Sequence, residues 1–220
     1  MNTILSKTKE FFKDKTLRNK VIFIVVMFVV FRLLSNIPIP GVDTTRLQAF
    51  LANNQFLGVL NIFSGGGLSQ LSISMLGVGP YITASIIMQL LTVVFPKFKQ
   101  MYQEEGDAGR KRFAQYSRWL TLPLAIVQGF AIMTLLETQN AIETMSLSLK
   151  LINVLIAVGG TFFILWIADR LSEYGIGNGT SLLIFAGIVA AIPTHVGQFF
   201  FTYNPADLPT YILFAVVGLL

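Results

Sequence analysis

The chain has 220 residues, 54% of them hydrophobic and only 12% charged, with a mean hydropathy of +0.68. Those values exclude an ordinary soluble domain and point to an all-α polytopic membrane protein. Against 11 acidic residues stand 16 lysines and arginines, a formal net charge of +5. They flank apolar runs, so the excess reads as topology, and no direct nucleic-acid recognition is expected. The chain has no cysteine, which removes disulfides, thiolate nucleophiles and cysteine-based metal sites.

A bilayer core about 30 Å thick takes roughly 20 helical residues, and that length sets the expected spans. Residues 1–20 form a basic N-terminus, and 21–39 a first span. The run "VIFIVVMFVVF" leads to no small-x-small cleavage site, so it reads as a retained helix rather than a secretory signal. Arg32 lies two-thirds along it. An arginine there is a functional candidate by default, but snorkelling or a structural bond to loop carbonyls is the favoured reading.

Residues 40–72 make the longest extracytoplasmic loop, entered through Pro38, Pro40 and Gly41, which end the first helix. Within it "GVLNIF" is apolar but too short to cross, and Gly65, Gly66 and Gly67 read as a hinge or cap. A segment of this kind can sit at membrane depth only inside protein or a water-filled cavity, as a re-entrant piece.

The second span, 73–95, begins with Gly77, Gly79 and Pro80 and is stopped by Pro96. Helical spacing puts Val78, Ile82, Ser85 and Gln89 on one stripe. A glutamine in hydrocarbon needs a partner, so Gln89 is expected to face a bundle or aqueous path, or to bond a neighbouring helix. Residues 96–118 read as a cytoplasmic basic loop with Arg110, Lys111 and Arg112. Its "GDAGRKR" lacks the spacing of a nucleotide-binding loop.

The third and fourth spans are 119–136 and 149–168, and 169–179 forms a second cytoplasmic loop. There Asp169, Arg170 and Glu173 read as a solvated ionic cluster, and "GIGNG" as a turn in which Asn178 caps the next helix. The fifth span, 180–196, is short and nicked by Pro193. Residues 210–220 start a sixth, and the chain is expected to be cut inside it.

Lys7, Lys9, Lys13, Lys15, Arg18 and Lys20 precede the first span; Lys97, Lys99, Arg110, Lys111, Arg112 and Arg118 lie between the second and third. With Arg170, all fall on one side of alternating helices, opposite Arg46 and Lys150, so the N-terminus is expected to be cytoplasmic. No catalytic residue, metal site or cofactor is expected. The only histidine, His195, stands beside Pro193 at a helix end, and no serine has a nucleophile's context.

The stretches "FRLLSNIPIPGVD", "NIFSGGGLSQLSISMLGVGPYITASIIMQLLTVVFP", "EEGDAGRKRFAQYSR" and "SEYGIGNGTSLLIFAGIVAAIP" closely resemble, in order, signatures of the SecY family. That family supplies the central subunit of the bacterial protein-conducting channel. The resemblance implies the N-terminal five-helix half of a ten-helix clam shell, with the C-terminal half missing. It also implies that a short plug helix, about 58–70, blocks the resting pore, through Leu60, Asn61, Ile62, Phe63, Ser64, Gly65, Gly66 and Gly67. On this reading the glycines and serines are a loose tether that an arriving polypeptide displaces.

Matched residue by residue, the family's apolar pore ring falls at Val78, Ile82, Thr180 and Ile184, where Thr180 departs from the usual isoleucine and its part in the seal stays open. Such a collar would dewet and resist ions. The lateral gate or polar pore face is placed at Thr83, Ser85 and Gln89. The implied setting is the bacterial plasma membrane, with SecE and SecG subunits, a SecA ATPase or translating ribosome, preproteins with signal sequences, and membrane lipids as partners. The competing reading is half of an inverted-repeat secondary transporter for a small solute, which buried charged or carbonyl ligands would mark.

Overall fold

The computed structural model describes residues 14–40, 44–54, 57–58, 61 and 64–201. Among them every regular element is an α-helix: α1 (Lys15–Ser35), α2 (Thr44–Asn53), α3 (Gly79–Val94), α4 (Pro96–Gln103), α5 (Gly106–Thr138), α6 (Leu147–Tyr174) and α7 (Gly179–Phe201). Extended pairing is limited, among those residues, to one antiparallel bridge between Pro38 and Ser72. Length and composition make α5 and α6 able to cross a membrane, and give a third crossing if the bent α3–α4 pair is one span.

Local chemistry sets the helix ends. The amide of Thr16 donates to Asp14 Oδ1 at 2.9 Å ahead of α1, and the amide of Leu149 to Ser146 Oγ at 3.4 Å ahead of α6. Pro96 ends α3 and starts α4 at once. Phe95, the residue before it, is extended at φ −113° and ψ 114°, and the two helix axes diverge by 112°.

Helix α6 is the hub: α5, α7 and α1 all pack on it, while α3 and α4 pack on α5. The buried side of α5 runs through Gly109, Phe113, Ser117, Thr121, Ala125, Gly129 and Met133 at every fourth position. Most of these are small, which lets neighbouring helices come close. Ser117 and Thr121 return their hydroxyls to the carbonyls of Phe113 and Ser117 at 3.1 and 2.8 Å, so neither is left unpaired.

Three apolar clusters result. One joins Leu47, Leu68, Leu71 and Met75 to α5 and α6 through Met133, Leu136 and Val154. A second joins Phe31, Val78, Ile164, Leu171 and Leu183. The third is Met88, Met101 and Phe113, where α3, α4 and α5 meet.

The structure corrects several sequence expectations. Residues 96–118 are not a loop: α4 and the first turns of α5 fill them, and Arg110, Lys111 and Arg112 stand exposed on α5. Hydropathy marks that segment as outside the membrane but does not distinguish a charged helix from a charged loop. Likewise α6 runs to Tyr174, through part of the expected 169–179 loop, and α7 continues past Pro193 to Phe201. Ile73–Val78 are turns, so helix starts six residues after the expected 73–95 span begins. Ser64–Leu71 are turns as well, which removes the C-terminal half of the expected plug helix. The reason is conformational, since Gly65, Gly66 and Leu71 have φ of 67°, 83° and 41°, outside the helical region.

Candidate functional site

The Ser64–Ser74 turns are fastened rather than loose. Gly65 is buried, and a Cβ there would stand 2.7 Å from the Phe31 ring; one on Gly67 would stand 2.5 Å from Ser74 Oγ and 2.9 Å from Ser72 Oγ. These glycines permit contact. The expectation of a loosely tethered stretch is corrected to that extent.

Ser35, Ser72 and Ser74 are at most 1% exposed, and they satisfy one another. Ser74 Oγ donates to Ser35 Oγ at 3.1 Å, Ser72 and Ser74 share a bond of 2.9 Å, and Ser35 Oγ donates to the Phe31 carbonyl at 3.1 Å. Arg32 Nη1 donates to the Gly65 carbonyl at 2.6 Å. The structural role favoured for Arg32 is thus the one observed. Of the residues assigned to the plug, Asn61, Ser64, Gly65, Gly66 and Gly67 are seen here; Leu60, Ile62 and Phe63 lie outside the described residues.

Below this loop the structure gathers three of the four ring candidates. Val78 is 2% exposed and belongs to the Phe31 cluster, against which the half-buried Ile82 and Ile184 pack. Val78 is the residue before α3 rather than part of it, and its carbonyl accepts from the Ile82 amide at 3.0 Å. The expected one-face helical stacking of this pair therefore becomes a turn followed by a helix. Thr180 is half-buried in the first turn of α7.

The polar-face candidates separate. Thr83 Oγ1 donates to the Gly79 carbonyl at 3.1 Å and accepts from Gln128 Nε2 at 3.3 Å, joining α3 to α5. Ser85 is half-buried, and Gln89 is exposed, with its backbone carbonyl accepting from Thr92 Oγ1 at 2.6 Å. The glutamine that bonds across helices is thus Gln128, not Gln89. The reasoning that singled out Gln89 applies equally to a glutamine inside "LPLAIVQGFAIM".

Two ionic features also escaped the sequence reading. Lys150 pairs with Glu137, each side chain 11% exposed; the Met145 amide donates to Glu137 Oε1 at 3.0 Å, and Lys150 lies 5.2 Å from the Phe130 ring centroid. Asp169 leaves its own helix to accept from Arg118 Nη2 of α5 at 2.5 Å, while Arg170 pairs with Glu173 at 2.6 Å. The three-residue cluster expected there is two separate pairs. On the basic stretch, Arg112 reaches Glu105 at 3.6 Å in exposed surroundings. The Ser181 amide donates to Asn178 Oδ1 at 3.2 Å, the expected cap of α7.

The SecY family profile matches residues 72–220, which include the anchored turns, α3 and both ring pairs. The chain belongs to the SecY family. It is 44% identical to the protein translocase subunit SecY of Aquifex aeolicus (strain VF5) over 96% of this chain and 51% of that protein. Identity to the protein translocase subunit SecY of Bacillus subtilis (strain 168) is 41%, over 87% of this chain and 45% of that protein. For the Escherichia coli (strain K12) protein of the same name it is 39%, over 92% and 47%. The chain spans about half the length of these curated relatives. A multi-pass membrane protein with an all-helical SecY fold agrees with α5 and α6, and none of these relatives supports the solute-transporter alternative.

Proposed function

We propose that this SecY-family chain supplies the N-terminal half of a protein-conducting channel. The channel passes unfolded preproteins across the bacterial plasma membrane and inserts membrane proteins into it. The basic residues keep the N-terminus in the cytoplasm, with α1, α3, α5, α6 and α7 as spans. The half contributes no bond-making chemistry. Its work is a passive apolar collar at Val78, Ile82, Thr180 and Ile184, which excludes ions by dewetting and yields around a passing chain.

The observation that carries this reading is the shared placement of Val78, Ile82 and Ile184 in one apolar cluster next to the fastened outer loop. The outer loop serves as the stopper, and α3 with α5, joined by the Thr83–Gln128 bond, as one jaw of the lateral gate. Energy comes from partners, SecA or a translating ribosome, with SecE and SecG beside the two halves.

The test uses the full channel complex with a secretory precursor stalled in transit. Single cysteines replace Ile82, Ile184 and, as a control on the exposed side of α5, Val127, which is 65% exposed. Crosslinks to the precursor are expected from Ile82→Cys and Ile184→Cys and not from Val127→Cys. Equal yields at all three, or contact at Val127 alone, refute the collar.

A further inference from the structure

Arg118 and Asp169 hold matching places in the sequence. Each stands just outside an apolar run, Arg118 before the one that opens at Trp119 and Asp169 after the one that ends at Ala168. Helices α5 and α6 pack together, which brings these two run ends side by side, and Arg118 Nη2 donates to Asp169 Oδ1 at 2.5 Å. A cation and an anion thus mark one level, where the hydrocarbon of a bilayer gives way to its headgroups.

The pair is joined by one bond only. Among the described residues, Arg118 Nη1 and Asp169 Oδ2 have no protein partner, and the two side chains stay 44% and 40% exposed. A guanidinium has five N–H donors and a carboxylate two acceptor oxygens, so each keeps capacity for a second ligand.

Beside the pair lies an open groove of about 380 Å³ lined by Arg118, Trp119, Leu122 and Phe162. Arg118 is its charged wall, and the others are apolar or aromatic. On α6, Phe162, Trp166 and Asp169 recur at i, i+4 and i+7 and so share a face. Trp119 and Trp166 are both exposed, as suits side chains with an apolar body and a polar tip at a membrane interface. None of these residues belongs to the collar or to the outer turns.

An apolar slot that opens beside a charged pair, at the edge of two apolar runs, has the form of a lipid site. The charges select the head. An anionic phospholipid would satisfy Arg118 and set Asp169 against a like charge. A zwitterionic head with a primary ammonium satisfies both: its phosphate oxygens accept from the guanidinium, and its N–H groups donate to Asp169 Oδ2.

We propose that the α5–α6 groove binds one zwitterionic phospholipid of the ethanolamine type, its phosphate on Arg118, its ammonium on Asp169 and an acyl chain along Trp119, Leu122 and Phe162. The lipid is a ligand here rather than solvent. On the proposed topology it comes from the cytoplasmic leaflet. The site requires α5 and α6 to cross a membrane and does not depend on the collar.

Trp119 lines the groove and is one of the chain's two tryptophans, so its fluorescence reports the site. In the full channel complex, with every other tryptophan replaced by phenylalanine, its quenching is measured in choline-lipid bilayers holding a minor fraction of lipid brominated on its acyl chains. The brominated lipid carries an ethanolamine, choline or glycerol phosphate head. The choline form gives the random baseline, and its persistence in each variant shows that the helices still lodge in the bilayer. The ethanolamine form is expected to quench as though enriched about threefold over that baseline, the scale of one half-exposed ionic contact. Asp169→Asn should abolish this preference and turn it toward the anionic glycerol head. Val127→Trp in a Trp119→Phe background, at a site 65% exposed on the same helix, should show no preference.

Equal quenching by the three heads, or a wild-type preference for the anionic head, overturns the site. So does a preference at position 127 equal to that at 119, or an ethanolamine preference that survives Asp169→Asn. None of these outcomes bears on the collar, which the crosslinking above tests separately.

Discussion

Two neighbouring glycines of α6 should respond unequally to the same substitution. Gly159 faces open space, with nothing within 4 Å of a Cβ built on it, whereas a Cβ on Gly160 would lie 2.0 Å from the Ile73 carbonyl oxygen and 2.6 Å from Ile73 Cγ2. Replacing a helical glycine with alanine gains about 1 kcal/mol of propensity at either position. At Gly160 the gain meets a clash. A carbon and a carbonyl oxygen tolerate about 3.3 Å, so α6 or the Leu71–Ser74 strip must retreat by more than ~1 Å. The strip has little slack, since Ile73 N is bonded to the Ile37 carbonyl at 3.0 Å and its flanking serines are fully buried and paired. Overpacking of this kind costs about 1–3 kcal/mol. Because the propensity gain cancels between the two variants, their difference in stability isolates that clash. Intrinsic fluorescence of Trp119 and Trp166 during thermal unfolding in detergent should show Gly159→Ala melting above wild type and Gly160→Ala well below Gly159→Ala. Equal melting of the two refutes the close approach of α6 to the outer loop.

Lys150→Met leaves the Glu137 carboxylate buried without its partner and should destabilise by about 3–5 kcal/mol, whereas Lys150→Met with Glu137→Leu should regain most of the loss. The same melting measurement decides, and a single variant as stable as the double shows the pair to be idle. Asn178→Ala removes the acceptor of the Ser181 amide and should cost about 1 kcal/mol, while Asn178→Asp, which keeps an acceptor, should stay near wild type.

Much of this arrangement is legible in the sequence, and the exceptions share causes. Apolar length announces helices, and Asn178 before "GTSLLIF" announces a cap, because both signals are local. A charge inside an apolar run demands a partner, so the bond from Arg32 to a loop carbonyl could be anticipated, though not which carbonyl. The helix at Pro96–Gln103 and the early start of α5 are hidden because hydropathy reports exposure, not conformation. The stripe Gly109, Phe113, Ser117, Thr121 was there to find, but its members are mostly too small or polar to register as an apolar face. Partner choice is the other blind spot. Lys150 with Glu137, Arg118 with Asp169 and Gln128 with Thr83 are separated by 13, 51 and 45 positions. Nothing in a single sequence says which polar side chain answers which. Glycine is ambiguous for a related reason, since the same residue serves a flexible tether and a contact that excludes a Cβ.

The short length of α3 connects the Ser64–Ser74 turns to the proposed collar. Its 16 residues rise ~24 Å, less than the roughly 30 Å of a hydrocarbon core. On the channel reading, the missing length is made up by Ile73–Val78. A non-helical backbone is tolerable there only if protein satisfies it. It does: Ile73 N donates to Ile37, Met75 N to Ser72, Gly77 N to Ser74 and Gly79 N to Leu76, each between 2.8 and 3.1 Å. The chain therefore enters this span through turns held by α1, and α3 begins only once Val78 is in place. On that reading the late helix start sets Val78, the residue before α3, and Ile82 just beyond the Ser64–Gly77 turns in the chain. The turns and the proposed ring positions that follow them are in this sense one local fold, set by where helix gives way to turn at Gly77–Gly79.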